Sequence, residues 1–466
     1  MKDFKPWPHQ LEALEIFKQR GSLLLHHEMG VGKTATACMC IDSLPAEAKV
    51  LIVCPLAVKP HWQREIEAVC EPTIAAATQI LDGPFAKRLN QLNHPHKRVF
   101  ICNYEVANQG LLFDSILKIK WTLVILDESQ RIKSPGSKRS KAFVKLASKA
   151  PYRLCLSGSP IVNSAEDIWA QLRVVDPQTE ENFFCWRPRY FYNANAGKSW
   201  INFPDWKLHP EREAELREAI AKCTHRVEKS QCLTLPPLTR QTVECELPKE
   251  LGRIYKELEE DFIATIGDDA IVTNITLTKL LRLQELCNGV AKGLQGTQNL
   301  WTEKHEALAD IIEGLGDTKC VVWCNFTSVM PSLISVVEKS LRKGKKFVVF
   351  TGEQNAKEKQ EAIDALNNDA DTQVFIATQA SGGVGIGLQA ASVAVYFSKS
   401  FHLEHDIQSE ARTYRGGSER HSVITRIDLV TKGTVEEVIT EALRSKLELG
   451  EMLLKIKEVK GWNKAA

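Results

Sequence analysis

The chain has 466 residues, enough for two or three domains, and its 44% hydrophobic and 25% charged content is that of an ordinary globular protein. Sixty basic against 58 acidic residues leave a formal charge of +2, which excludes a polycation, so any nucleic-acid surface has to be local. The N-terminal MKDFKPWPHQ is not a signal peptide, no run of about 18 apolar residues could span a membrane, and the 13 cysteines lie without repeated spacing in apolar runs such as Leu51-Ile52-Val53-Cys54, which argues against a disulfide framework or structural zinc and for buried reduced thiols.

Short apolar runs alternate with amphipathic stretches from the start. Strands are expected at 22–25, 50–54, 99–103, 123–126 and 153–157, with helices between them, clearest at 34–43 and 62–69. Such alternation implies a parallel sheet covered by helices on both faces. From 176 to 299 the pattern is less regular. It opens with the aromatic and basic segment Phe183, Phe184, Trp186, Arg187, Arg189, Tyr190, Phe191 and Tyr192, and continues with charged helical stretches at 210–222, 249–265 and 277–286. Alternation resumes with strands at 320–324, 346–350, 374–377, 393–397 and 424–429, and a last helix is expected over 435–455. Cys320 and Cys324 flank the first of these strands and read as core. The fold class is therefore α/β, with an N-terminal lobe over 1–175, a mostly helical protrusion or linker over 176–299, and a C-terminal lobe over 300–466.

The chemistry starts at residues 26–34, His-His-Glu-Met-Gly-Val-Gly-Lys-Thr. This is a phosphate-binding loop with His27 where the pattern Gly-x-x-x-x-Gly-Lys-[Ser/Thr] has its first glycine. Met29, Gly30, Val31, Gly32, Lys33 and Thr34 keep the part that touches phosphate. Backbone N–H groups and the following helix N-terminus favour anions. Lys33 would reach the β- and γ-phosphates of ATP, and Thr34 would ligate Mg²⁺. Farther on, the apolar run Leu123-Val124-Ile125-Leu126 ends in Asp127-Glu128. Such a pair alone is more often a helix cap. After a phosphate loop and at the end of a buried strand, Asp127 suits Mg²⁺, and Glu128 suits the attacking water. Ser157-Gly158-Ser159-Pro160, by itself a turn, follows another apolar run. In the second lobe the glycine-rich run 378–388 misses the dinucleotide register, and Gly385 within it is the candidate for a nucleotide contact. Arg412 and Arg415 share one helix face. Two such arginines are usually solvated, but here they are placed to serve as arginine fingers, worth roughly 10³–10⁵ in rate.

This ordered set, over nearly the full chain, resembles helicase superfamily 2, and within it the Swi/Snf-type DNA translocases. Residues 27–34 look like the family's Asp-Glu-Met-Gly-x-Gly-Lys-Thr, which accounts for the absent glycine. Phe4-Lys5-Pro6-Trp7-Pro8-His9-Gln10 looks like the upstream element, and the resemblance puts Gln10 on adenine. Residues 51–55 with Trp62-Gln63-Arg64-Glu65, and Ile101-Cys102-Asn103-Tyr104-Glu105, resemble DNA-contacting motifs. LCLSGSPIVN at 154–163 is close to the coupling motif, while 283–288 (LQELCN) and Asn325-Phe326-Thr327 match later elements. The resemblance implies two RecA-like lobes with ATP and Mg²⁺ bound between them. It implies coupling through Gln130, Ser157, Gly158, Ser159 and Gln408, and DNA contact through Pro55, Trp62, Tyr104, Asn325, Phe326, Thr327, Thr378, Gly382 and Gly383. Gln130 departs from the usual His, Gly387 from Asn, Ala411 from Asp and Lys359 from Arg. None removes a catalytic group.

The expected function is an ATP-dependent motor on double-stranded DNA, extending to remodelling or reannealing of DNA structures. A strand-separating helicase on single-stranded DNA or RNA stays open, as does an ATP-gated nucleic-acid clamp with little hydrolysis. The segment 183–192 weakly resembles the strand-reannealing branch, but an aromatic core is the favoured reading, since aromatics dominate cores as well as stacking platforms. His94-Pro95-His96 reads as a plain loop. With no reader-domain pattern, a compact monomeric motor of phage or bacterial type is expected, in the cytoplasm of a bacterial or phage-infected cell and away from membranes.

Overall fold

The computed structural model describes residues 4–161, 164–197, 204–266, 273–293, 296–382 and 386–445. The chain divides into two compact units, Met1–Leu233 and Thr234–Ala466.

Unit 1 contains β1 (Ser22–His27), β2 (Val50–Cys54), β3 (Thr78–Ile80), β4 (Val99–Asn103), β5 (Leu123–Asp127), β6 (Tyr152–Ser157), β7 (Phe191–Asn193), β8 (Trp206–Leu208) and β9 (Thr224–Val227). Among the described residues, seven of these form one sheet in the order β3-β4-β2-β5-β6-β1-β9, every pair parallel. β7 and β8 pair antiparallel beside it. β2, β4 and β5 are buried along their whole length, as continuous apolar runs in a sheet covered on both faces must be. In the register, Asp127 faces Leu156, Leu156 faces Leu25, and Ser157 faces His26. Three neighbouring strands therefore end level with one another, and the loops that follow them meet at one edge.

Unit 2 contains β10 (Leu238–Cys245), β11 (Val290–Gly293), β12 (Gly296–Asn299), β13 (Cys320–Cys324), β14 (Lys346–Phe350), β15 (Thr372–Thr378), β16 (Val393–Tyr396) and β17 (Ile424–Thr431). Six of them make a second parallel sheet, β10-β17-β16-β13-β15-β14, and β11 pairs antiparallel with β12. The two parallel sheets with their covering helices are two RecA-like lobes.

Several strands match their expected limits residue for residue. Others differ for physical reasons. β5 runs one residue farther and takes Asp127 into the sheet, and β15 extends to Thr372 and Thr378. β9 and β10, both from within 176–299, each complete the sheet of a different unit. They escape notice because β9 is four residues long and β10 is an edge strand with a largely polar, exposed sequence. The final helix is described as Val435–Arg444, and its expected continuation lies outside the described residues. All the cysteines except Cys185 and Cys232 are buried. Trp186, Tyr190 and Phe191 join the core of unit 1, and the Arg187 guanidinium lies 3.9 Å over the Trp206 ring. Of this aromatic segment, Phe184 stands out at 73% exposure.

Candidate active site

The phosphate loop links β1 to the helix Lys33–Asp42. Gly30 (φ 88) and Gly32 (φ 79) take left-handed backbone. At Gly32 a side chain is excluded twice, since a Cβ there would lie 2.4 Å from Gln10 Nε2. The helix starts with no side-chain cap and no acidic residue in its first turn, which leaves its N–H donors for an anion. Lys33 Nζ donates to the His27 carbonyl at 2.7 Å and the Glu28 carbonyl at 3.1 Å, so its charge is held against the loop. Thr34 is half-buried in the same first turn.

Unforeseen braces hold the loop from behind. His27 is fully buried, and its Nε2 makes a 2.8 Å hydrogen bond with His225 Nδ1 on β9. Burial first, then His225 and Lys33, drives its pKa far below the ordinary imidazole value, so it is neutral. Glu28 Oε2 accepts from the Lys229 N–H at 2.9 Å, and the Glu28 N–H donates to the Val227 carbonyl. His9 Nε2 donates to the Val31 carbonyl at 2.9 Å. Gln10 is buried, accepts from the Trp7 N–H at 2.8 Å and donates to the Gly32 carbonyl at 3.2 Å. Its carboxamide thus clamps the loop. No local pattern flags His225, because its partner is distant in sequence.

Asp127 ends β5 in a buried position. Its Oδ2 accepts from Trp62 Nε1–H at 2.8 Å and its Oδ1 from the Glu128 N–H at 3.0 Å, while its carbonyl accepts the Tyr104 hydroxyl at 2.7 Å. Burial, followed by repulsion from Glu128, pushes the carboxyl up to about 7, against the pull of Trp62 and Lys33. Two residues expected to contact DNA turn their side chains inward here. Trp62 and Tyr104 are 0% and 1% exposed, and both aim their polar tips at Asp127. A buried Trp or Tyr usually finds a partner for its N–H or O–H, and here the strand end supplies one. Pro55 is likewise buried, opening the short turn Leu56–Val58. Trp62→Phe leaves a buried carboxylate short of a donor. It should cost about 1–3 kcal/mol in a denaturant melt and leave duplex affinity unchanged. A variant of full stability with weakened DNA binding would restore the contact role.

Glu128 has φ 52 and ψ 53, the one non-glycine residue with positive φ among those described. Its Oε2 accepts from Gln130 Nε2 at 2.8 Å, and Gln130 Oε1 accepts from Ser157 Oγ at 2.8 Å. Ser157 Oγ in turn accepts the Ser159 N–H at 3.1 Å. A second bridge runs alongside: Ser129 Oγ donates to Gln171 Oε1 at 2.7 Å, and Gln171 Nε2 donates to the Pro160 carbonyl at 2.6 Å. Gln171, missed from the sequence, is fully buried on the helix Trp169–Val175. A Cβ on Gly158 would meet Met29 Cγ at 3.1 Å and Lys33 Nζ at 3.5 Å, so this turn passes close over the phosphate loop. Uncapped N–H groups, an ammonium, a hydroxyl and a buried carboxylate make a donor set that fits a magnesium nucleotide.

In unit 2, Arg412 lies in the last turn of the helix Leu403–Thr413 and Arg415 two residues past its end, so they do not share a helix face as expected, yet both donate to the Ile386 carbonyl, at 3.3 and 3.2 Å. That helix is pinned by Arg426 of β17, which bonds Asp406 at 2.7 Å, Glu410 at 3.0 Å and Asp428 at 2.9 Å and stacks 3.9 Å over Tyr396. Gln408 is buried and donates to Glu404 at 2.8 Å. Thr378 is buried, with its hydroxyl on Ser381 at 2.7 Å. Asn325 and Phe326 are half-buried and Thr327 is exposed, just past β13, which neighbours β15. Gly382 ends the short helix Gln379–Gly382, and Gly383 and Gly385 lie outside the described residues. A Cβ on Gly387 would lie 2.6 Å from Gln389 Oε1.

Residues 9–291 match the SNF2-related domain. The chain belongs to the SNF2-related family. A helicase conserved C-terminal domain follows over 303–417, ending just past Arg415. Similar proteins include chromodomain-helicase-DNA-binding protein 1 of Gallus gallus, 26% identical over 94% of this chain and 26% of that one, and nuclear protein STH1/NPS1 of Saccharomyces cerevisiae, 25% identical over 95% and 34%. The chain thus spans about a quarter to a third of these relatives. The solved Sulfolobus solfataricus SWI2/SNF2 ATPase core in complex with dsDNA aligns at 21% identity over 99% of this chain and 97% of that one, with a TM-score of 0.45. Within this SNF2-related protein the first match spans the phosphate loop, Asp127-Glu128 and the Ser157 turn, and the second spans both arginines.

Proposed function

We propose that this SNF2-related protein hydrolyses ATP to translocate on double-stranded DNA, remodelling or reannealing DNA structures as it moves. The observation that carries the reading is the set of side-chain bridges from Glu128 through Gln130 to Ser157, built directly over a phosphate loop. A protein that only bound nucleotide would not need the water-activating carboxylate wired to a neighbouring turn. Lys33 and the first-turn N–H groups take the phosphates. Thr34 and Asp127 are the residues that would hold Mg²⁺, which when bound neutralises phosphate charge. Glu128 orients and deprotonates the attacking water, and its position is passed to Ser157 and Ser159 through Gln130. Arg412 and Arg415 supply positive charge for the transition state. The grip on DNA is to the phosphate backbone, sequence-independent and salt-sensitive.

Phosphate release measured with no nucleic acid, duplex, single strand, fork and RNA tests this. Stimulation strongest with duplex is expected. Turnover indifferent to every nucleic acid sinks the motor reading, and stimulation only by single strands or RNA replaces it with strand separation.

A further inference from the structure

The side chains of Trp62, Tyr104 and Pro55 are buried, and the exposed basic residues of unit 1 include a separate group. Between residues 131 and 149 the chain carries Arg131, Lys133, Lys138, Arg139, Lys141, Lys145 and Lys149 and no acidic residue. We propose that this strip, centred on the exposed face of the helix Lys138–Ala147, is a docking surface for the phosphate backbone of duplex DNA. The inference rests on the motor reading above and names where that motor holds its track.

Three observations support it. Lys138, Lys141 and Lys145 are exposed and fall at helical spacing, so they share one face, while Phe143 and Leu146 bury the other, and Lys149 is exposed just past the helix end. Carboxylates do face the strip: Glu105 lies 3.6 Å from Arg139 and Asp167 lies 3.9 Å from Lys133. None among the described residues pairs with Arg131, Lys138, Lys141 or Lys145. Lys138 to Lys145 spans about 10 Å of helix, close to three base-pair steps of roughly 3.4 Å each.

The helix also begins against its own dipole. Its first turn holds Lys138, Arg139 and Lys141 and no acidic residue, although cations there are unfavourable by about 0.3–1 kcal/mol each. A bound phosphate would reverse the sign of that interaction, although the Ser140 N–H at the helix start is already capped by Ser137 Oγ at 3.1 Å. Finally, the strip is wired to the acidic turn. Ser140 Oγ, in the same first turn, donates to the Ile132 carbonyl, which closes the turn Ser129–Ile132 that carries Gln130. Backbone capture on this face is thus two contacts from Glu128.

The test is a full-length variant with Lys138→Ala, Lys141→Ala and Lys145→Ala. Alanine is the best helix former, so the fold is kept, and a thermal melt checks it. Binding to a short blunt duplex is measured across a salt series. The expected result is affinity at least about 10-fold weaker and a log–log salt slope shallower by about 2–3, at close to 0.9 per lost phosphate contact, with DNA-free ATP turnover unchanged. A control that removes the same charge through Lys49→Ala, Lys87→Ala and Lys343→Ala should keep the wild-type slope. Equal weakening in the control, an unchanged slope in the triple variant, or a loss confined to RNA would overturn the strip while duplex stimulation of the wild type keeps the motor reading intact. A wild type that neither binds nor responds to duplex overturns both.

Discussion

Replacing Lys33 with alanine is expected to lower ATP hydrolysis by on the order of 10³-fold or more. Lys33 opens the helix Lys33–Asp42, and its ammonium rests on the His27 and Glu28 carbonyls at 2.7 and 3.1 Å. It is the cation fixed within this loop, and phosphoryl transfer depends above all on positioning and on neutralising charge. The uncapped N–H groups of the first turn survive the substitution, so nucleotide binding should weaken less than turnover. Phosphate release at saturating duplex, set beside nucleotide titration, separates the two. An unchanged rate would exclude the loop as the hydrolytic site.

Glu128→Gln should be nearly as severe, lowering turnover by roughly 10²–10⁴-fold with nucleotide binding kept. Glutamine preserves an acceptor for Gln130 Nε2 but cannot take the proton of the attacking water. Glu128→Gly separates chemistry from backbone. Left-handed backbone costs a non-glycine residue roughly 1–2 kcal/mol, and at φ 52 this residue bears that strain. The glycine variant should be as inactive as glutamine yet no less stable in a denaturant melt. A marked loss of stability would mean that the bond to Gln130 outweighs the strain.

Much of this was legible in the amino-acid order. Buried parallel strands announce themselves as unbroken apolar runs, so β2, β4 and β13 match their expected limits, as does the apolar but half-exposed edge strand β14. The loop and the acidic pair are contiguous in sequence, and contiguity is what a motif can record. What could not be read is what the register of distant strands creates. Gln171 and His225 become functional neighbours only once β5, β6, β1 and β9 lie side by side. The inward orientation of Trp62 and Tyr104 is hidden for a related reason. Sequence shows an aromatic with a polar tip, and only the packed interior shows which way the tip points.

The pairing of His27 with His225 has a consequence for how the protein is made. Val227 closes the sheet beside the phosphate loop, so the brace from β9 joins those of His9 and Gln10 only after the ribosome has added almost two hundred further residues. At synthesis rates of 5–20 residues per second this is a delay of roughly 10–40 s. A nascent chain that already displays Lys33 therefore still lacks the support that His225 and Lys229 give the loop.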